Sequence, residues 1–188
     1  MQAQEIKHYL AELGAALQNQ GIMKPVRLLL IVGAYMMFLA NAPRTTYDIE
    51  MFWIEEGEDF QKAHLALRDA VQTIASKYAH PPNWFNYLTQ LLIYDKITMP
   101  RGKLWRRYGP LHVFAPPREF MFALKILAGR DKDIANCRIL MTQTHIRTRK
   151  RAQRALDRYL LPDAQQDEAA TIQYALDMLF GSESEREP

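Results

Sequence analysis

Ile6, Tyr9, Leu10, Leu13 and Leu17 recur at three- and four-residue spacing and predict a helix that Asn19-Gln20-Gly21 stops. Past Pro25 the pattern becomes an unbroken aliphatic run, Val26 to Val32, as in a strand buried on both faces. Gly33 to Ala40 is equally apolar and predicts a short helix packed back on that strand, broken by Asn41-Ala42-Pro43. From Thr45 to Ile54 the positions alternate. A strand there would set Tyr47, Ile49, Met51 and Trp53 on one face and Asp48, Glu50, Phe52 and Ile54 on the other. Glu55 to Glu58 reads as a polar turn, and Asp59 as the N-cap of a long helix reaching Tyr78 with Phe60, Ala63, Leu67, Ala70, Val71 and Ile74 inward.

His80-Pro81-Pro82 forces a break, after which Asn83 would cap a short helix, Trp84 to Leu92. Ile97 to Phe114 carries scattered aromatics and prolines, with Leu111 to Phe114 its clearest strand. Pro116-Pro117 opens a helix from Arg118 to Ala128, ended by Gly129. Three further helices are predicted: Lys132 to Thr142, His145 to Tyr159 and Asp167 to Phe180, followed by an acidic tail, Gly181 to Pro188. The pattern is α/β (α+β): a small mixed sheet with the Asp48/Glu50 strand central, packed by helices, then a helical C-terminal part. The expected division is a domain over 1–141 and a helical extension over 142–188.

The 188 residues are 48% hydrophobic and 24% charged, the balance of a globular chain and not a disordered one. A single cysteine, Cys137, excludes an intrachain disulfide framework and a multi-cysteine zinc site, and reads as a small buried hydrophobe. The longest apolar stretch, Val26 to Ala40, is too short for a membrane span, and the mixed N-terminus MQAQEIKHYLAEL reads as neither a signal nor a transit peptide. The expectation is a cytoplasmic protein with no membrane partner. Charge is uneven: residues 101–158 hold fifteen Lys or Arg against four Asp or Glu, a balance of +11, which suits an anionic partner or a solvated helix face. Much of it is a run headed by His145, with basic residues at 147, 150, 151, 154 and 158 sharing a helical face.

The candidate chemistry lies between the first two predicted strands. Asp48 and Glu50, two apart, would aim two carboxylates at one place, and such a pair repels unless a cation lies between its members. Mg²⁺ is the usual resolution, and it also binds substrate phosphates. Gly33, at the end of the preceding strand, would let a phosphate approach bare backbone at a helix start. No P-loop, GxGxxG or HExxH sequence is present, and Ser76, Ser182 and Ser184 occupy no nucleophile elbow.

Several ordered blocks, Ile31-Val32-Gly33-Ala34, Arg44-Thr45-Thr46-Tyr47-Asp48-Ile49-Glu50, Pro81 to Asn86, and Leu111 through Pro116 to Ile134, together resemble the polymerase-beta-like nucleotidyltransferase superfamily. More narrowly they resemble a bacterial family of uncharacterised nucleotidyltransferases, some of them associated with toxin–antitoxin loci. The resemblance implies transfer of a nucleoside monophosphate from a Mg²⁺–nucleoside triphosphate to a hydroxyl on a protein, RNA or small molecule. It implies catalytic and metal-binding roles for Asp48 and Glu50, and nucleotide contacts from Gly33, Ala34, Arg44, Thr45 and Lys125. Ala34 stands where that motif has a second Gly or Ser, and no third carboxylate is evident on a later strand. A nucleotidyltransferase-like protein that binds nucleotide or a partner without turnover is therefore the alternative. Arg44 reads equally as a partner of Asp48, and Lys125 as a structural lysine; Arg130, Lys132 and Asp133 read as a local salt-bridge cluster. Trp84 and Asn86 read as a packing anchor and a turn hydrogen-bonder.

Overall fold

The computed structural model describes residues 1–42, 45–54, 60–87 and 89–182, and it resolves into two compact units. The first comprises Met1–Leu91 and Arg101–Pro116; the second comprises Leu92–Pro100 and Pro117–Pro188. This grouping joins residues 117–141 to the C-terminal helices, whereas the expected boundary fell after 141. The fold is mixed α/β, with a five-stranded mixed sheet in the first unit. Among the described residues no helix is long and apolar enough to cross a membrane.

In the first unit, helix α1 (Ala3–Asn19) buries the predicted stripe of Ile6, Tyr9, Leu10, Leu13 and Leu17. Strand β1 (Val26–Ile31) follows, then α2 (Val32–Leu39), β2 (Ile49–Trp53), α3 (Phe60–Tyr78) and the two-residue β3 (Phe85–Asn86). A hairpin of β4 (Lys103–Tyr108) and β5 (Leu111–Ala115) completes the sheet in the order β3-β2-β1-β5-β4. The central strand is thus β1, with every residue but Arg27 buried, and β2 lies beside it rather than in the middle. β1 runs antiparallel to β2 and parallel to β5. Helices α1 and α3 pack on each other, and α3 buries Ala66, Leu67, Ala70, Val71 and Ile74.

Two further expectations for the first unit are corrected by its strands. The helix predicted from Trp84 to Leu92 is replaced by β3 and a short α4 (Thr89–Ile93). Ile49 N–H donates to Trp84 O at 2.7 Å, and the chain continues as a parallel neighbour of β2. Trp84 is the anchor: fully buried, its ring lies against Tyr9 and His80 and its indole N–H donates to Val71 O at 3.1 Å. The second correction is β4, read as irregular from its scattered aromatics. A bulge between Leu104 and Arg106 disrupts the alternation that would mark it as a strand.

In the second unit, α5 (Arg118–Ala128) packs against α6 (Asp131–Thr144), α7 (Arg149–Tyr159) and α9 (Ala169–Phe180), with α8 (Pro162–Asp167) between the last two. A 3₁₀ turn, Tyr94–Lys96, leads into a segment laced to the end of α7: Thr98 N–H donates to Tyr159 O at 2.9 Å and Leu161 N–H to Lys96 O at 3.0 Å. Gly129 ends α5 in the left-handed conformation, φ 58°, and a Cβ there would lie 2.1 Å from Thr171 Cγ2, so glycine serves both the cap and the approach of α9. The predicted helix from His145 begins instead at Arg149: His145 is the left-handed cap of α6, φ 56°, and the Thr148 hydroxyl caps α7 by accepting from Arg151 N–H at 3.2 Å.

Candidate functional site

The β1–α2 junction holds a residue in the left-handed region. Val32 has φ 52°, a conformation that costs a β-branched residue on the order of 1–3 kcal/mol and persists only where its surroundings impose it. Ile31, just before it, pairs with Glu50 across the β1–β2 ladder. Two residues further the register would set Gly33 opposite Asp48, but Gly33 has already turned into α2, so Asp48 has no strand to pair with. This corrects the expectation of a strand from Thr45: β2 starts at Ile49, and Asp48 occupies the bend before it. Tyr47, expected to share a face with Ile49 and Met51, is 94% exposed for the same reason.

Thr46 supplies the local order that the ladder lacks. Its hydroxyl donates to the Asp48 carbonyl at 3.0 Å and stands 3.4 Å from Asp48 Oδ1, a side-chain turn that competes with extended pairing. Its backbone exchanges hydrogen bonds with Met1 in both directions. The Thr46 hydroxyl also explains Gly33, since a Cβ built there would lie 2.4 Å from Thr46 Oγ1. Thr46 is the positioning residue that the candidate set lacks, and its two-residue spacing from Asp48 is the sequence signal for it.

Gly33, Asp48 and Glu50 are therefore gathered at one end of β1, with Asp48 and Glu50 both half-buried. Asn86 lies opposite Glu50 on its other side, in β3. Ile31, the N-cap residue of α2, has no side-chain bond to the first turn, whose leading N–H groups carry the partial positive charge of a helix N-terminus. Ala34 is fully buried in that turn and Thr45 is exposed. Arg44 lies outside the described residues, as do Asp59 and the Glu55 to Glu58 turn. Among the described residues no three His, Cys, Asp or Glu side chains gather into a metal-binding group.

Lys125 belongs to the second unit and is committed there. Its ammonium donates to Asp133 Oδ1 at 2.6 Å, with Lys125 4% and Asp133 1% exposed. Arg130 Nε donates to the other carboxylate oxygen at 2.6 Å, and Asn136 Nδ2 stands 3.4 Å from Oδ1. Burial pushes the Asp133 carboxyl up, but the hydrogen bonds and charges of Lys125 and Arg130 outweigh it and hold the group below its ordinary value. The expected cluster of Arg130, Lys132 and Asp133 thus takes in Lys125, while Lys132 is exposed. Cys137, fully buried beside this group, has its thiol pushed up to about 12, chiefly by burial, as befits an inert packing residue.

On α7, Lys150, Arg151, Arg154 and Arg158 are exposed, whereas Arg149 pairs with Asp177 at 2.7 Å. Ala152, Ala155, Leu156 and Tyr159 form its buried face, so the basic residues mark the solvent side of an amphipathic helix. No protein-family model, curated protein or solved structure matches the chain.

Proposed function

We propose that the first unit binds a Mg²⁺–nucleoside triphosphate at the β1–α2 junction and transfers its nucleoside monophosphate to a hydroxyl of an RNA, protein or small molecule. The observation that carries this reading is the register Ile31–Glu50, which puts one carboxylate beside the strained Val32 turn, with Asp48 and Gly33 held around it by Thr46. Asp48 and Glu50 are the residues that would hold Mg²⁺. A donor set of carboxylate oxygens without His or Cys matches a hard divalent cation, and Asp48 takes its contact from the neutral hydroxyl of Thr46. A bound ion would supply charge neutralisation at the phosphate oxygens.

The N–H groups at the start of α2 suit the triphosphate, and the closeness of Gly33 to Thr46 keeps that turn in place. In the transfer, the acceptor oxygen bonds to the α-phosphorus as pyrophosphate leaves with the bridging oxygen, and the hydroxyl proton passes to solvent. Titration of ATP, CTP, GTP and UTP by calorimetry, with Mg²⁺ and with EDTA, tests the reading. Metal-dependent binding of at least one, lost in Asp48→Asn, is expected; its absence for all four overturns the proposal. Binding without transfer of label from an α-labelled triphosphate to total RNA, protein or small hydroxyl compounds would favour the non-catalytic reading, to which buried Ala34 at the motif's second position already points.

A further inference from the structure

Strand β4 reads Lys103-Leu104-Trp105-Arg106-Arg107-Tyr108 and forms one edge of the sheet. Lys103, Arg106 and Arg107 are exposed, and among the described residues none of them pairs with a carboxylate. The chain has no Asp or Glu between Asp95 and Glu119, so the hairpin itself supplies no neutralising charge. The bulge between Leu104 and Arg106 falls at Trp105, whose half-exposed ring lies 4.8 Å from that of Phe38 on α2, tilted by 37°. Lys7 of α1 sits over Phe38, its Nζ 5.5 Å from the ring centroid, and Arg106 sits over Trp105 with Cζ at 5.3 Å. Three elements of the first unit thus combine into a row of cation, ring, ring, cation beside an edge strand.

Basic residues on an edge strand have an ordinary use, which is to deter pairing with another sheet. That use leaves the rings unexplained, since half-exposed Trp105 and Phe38 beside an edge strand invite the association the charges would deter. A ligand carrying both repeated negative charge and flat apolar faces accounts for both features. Single-stranded nucleic acid is such a ligand: phosphates meet lysine and arginine while unpaired bases stack on aromatic rings. A duplex hides its base faces, and an acidic peptide offers charge without stacking planes.

We propose that the β4 edge, with Lys7 and Phe38, is a docking surface for single-stranded nucleic acid. This surface stands apart from the nucleotide reading, because none of its residues belongs to the Asp48/Glu50 site.

The test is fluorescence anisotropy of a dye-labelled single-stranded RNA of about ten nucleotides, within the length one such module covers, titrated with the full chain over a series of salt concentrations. The same strand annealed to its complement, and poly-glutamate as competitor, are the comparison ligands. The single strand is expected to bind more tightly than the duplex. Replacing Arg106 and Arg107 together by Glu should weaken binding and flatten its salt dependence, by roughly 0.7 in log–log slope for each phosphate no longer neutralised. Trp105→Ala should weaken binding about tenfold or more with the slope unchanged, and Trp105→Phe should retain most of it. Circular dichroism melts establish that each variant is folded, and Mg²⁺–nucleotide titrations of the same variants should match wild type. The proposal is overturned if the single strand does not bind at low salt. It is equally overturned if the duplex binds as well and Trp105→Ala has no effect, or if binding follows Arg151→Glu and Arg154→Glu on α7 instead.

Discussion

Asp48 and Asp133 each follow an arginine closely in the sequence, yet the fold treats them in opposite ways. Asp133 is 1% exposed and lies 2.6 Å from both Lys125 and Arg130, in a cluster assembled from the end of α5 and the start of α6. Asp48 is half-buried in a bend and is steadied by the neutral hydroxyl of Thr46. A carboxylate withdrawn from water loses several kcal/mol of solvation, so its place in a core requires opposite charge and hydrogen bonds around it. One that keeps part of its hydration has no such requirement and can be held loosely enough to accept a cation from solution. Burial, more than residue type, therefore separates a charge that maintains a structure from one that can serve a ligand.

Breaking the buried pair is the largest test of that contrast. Lys125→Met should destabilise the protein by about 3–5 kcal/mol in denaturant unfolding, because Asp133 would stay buried with Arg130 as its remaining cationic partner. A loss below about 1 kcal/mol would show that the pair is not needed for stability.

Acid should sharpen the same point. The Asp133 pKa is held below its unfolded value of 3.8, so its contribution is fully present above pH 3.8 and is lost as pH falls through the folded value. The stability gap between wild type and Asp133→Asn should accordingly shrink as melts are taken further below pH 3.8. A gap that does not change with pH would mean that the native carboxylate gains nothing from its ionised form.

At the other site the constraint is steric. Gly33→Ala should cost about 1–3 kcal/mol by forcing a methyl group against Thr46 Oγ1, even though alanine is the better helix former. Combining it with Thr46→Ala should recover part of that loss, and a double-mutant cycle with no coupling would dissociate the two residues.

The smallest effect is expected from Asp48→Asn, whose melting temperature in EDTA should stay close to wild type or rise. Replacing a half-buried carboxylate changes stability by about 0–1 kcal/mol, and relief from the neighbouring Glu50 charge acts in the favourable direction. A clear fall would make Asp48 a structural partner and remove the ground for the site.

Elements stabilised by near neighbours in the chain were legible from residue pattern alone. The stripe of α1, the inner face of α3, the aliphatic run of β1 and the stop at Gly129 follow from three- and four-residue spacing, continuous apolarity and the left-handed cap that glycine favours. Gly33, Asp48 and Glu50 were also legible as a set, because they stand at the two ends of the connection from β1 to β2. The tertiary structure alone decided what depends on a distant partner. β3 exists because Ile49 and Glu50 offer it a strand edge, β2 begins at Ile49 because β1 ends opposite Glu50, and Lys125 is a core ion-pair member because α6 brings Asp133 to it. Local spacing is written in one segment, whereas strand pairing and charge burial are agreements between segments whose meeting the linear order does not specify.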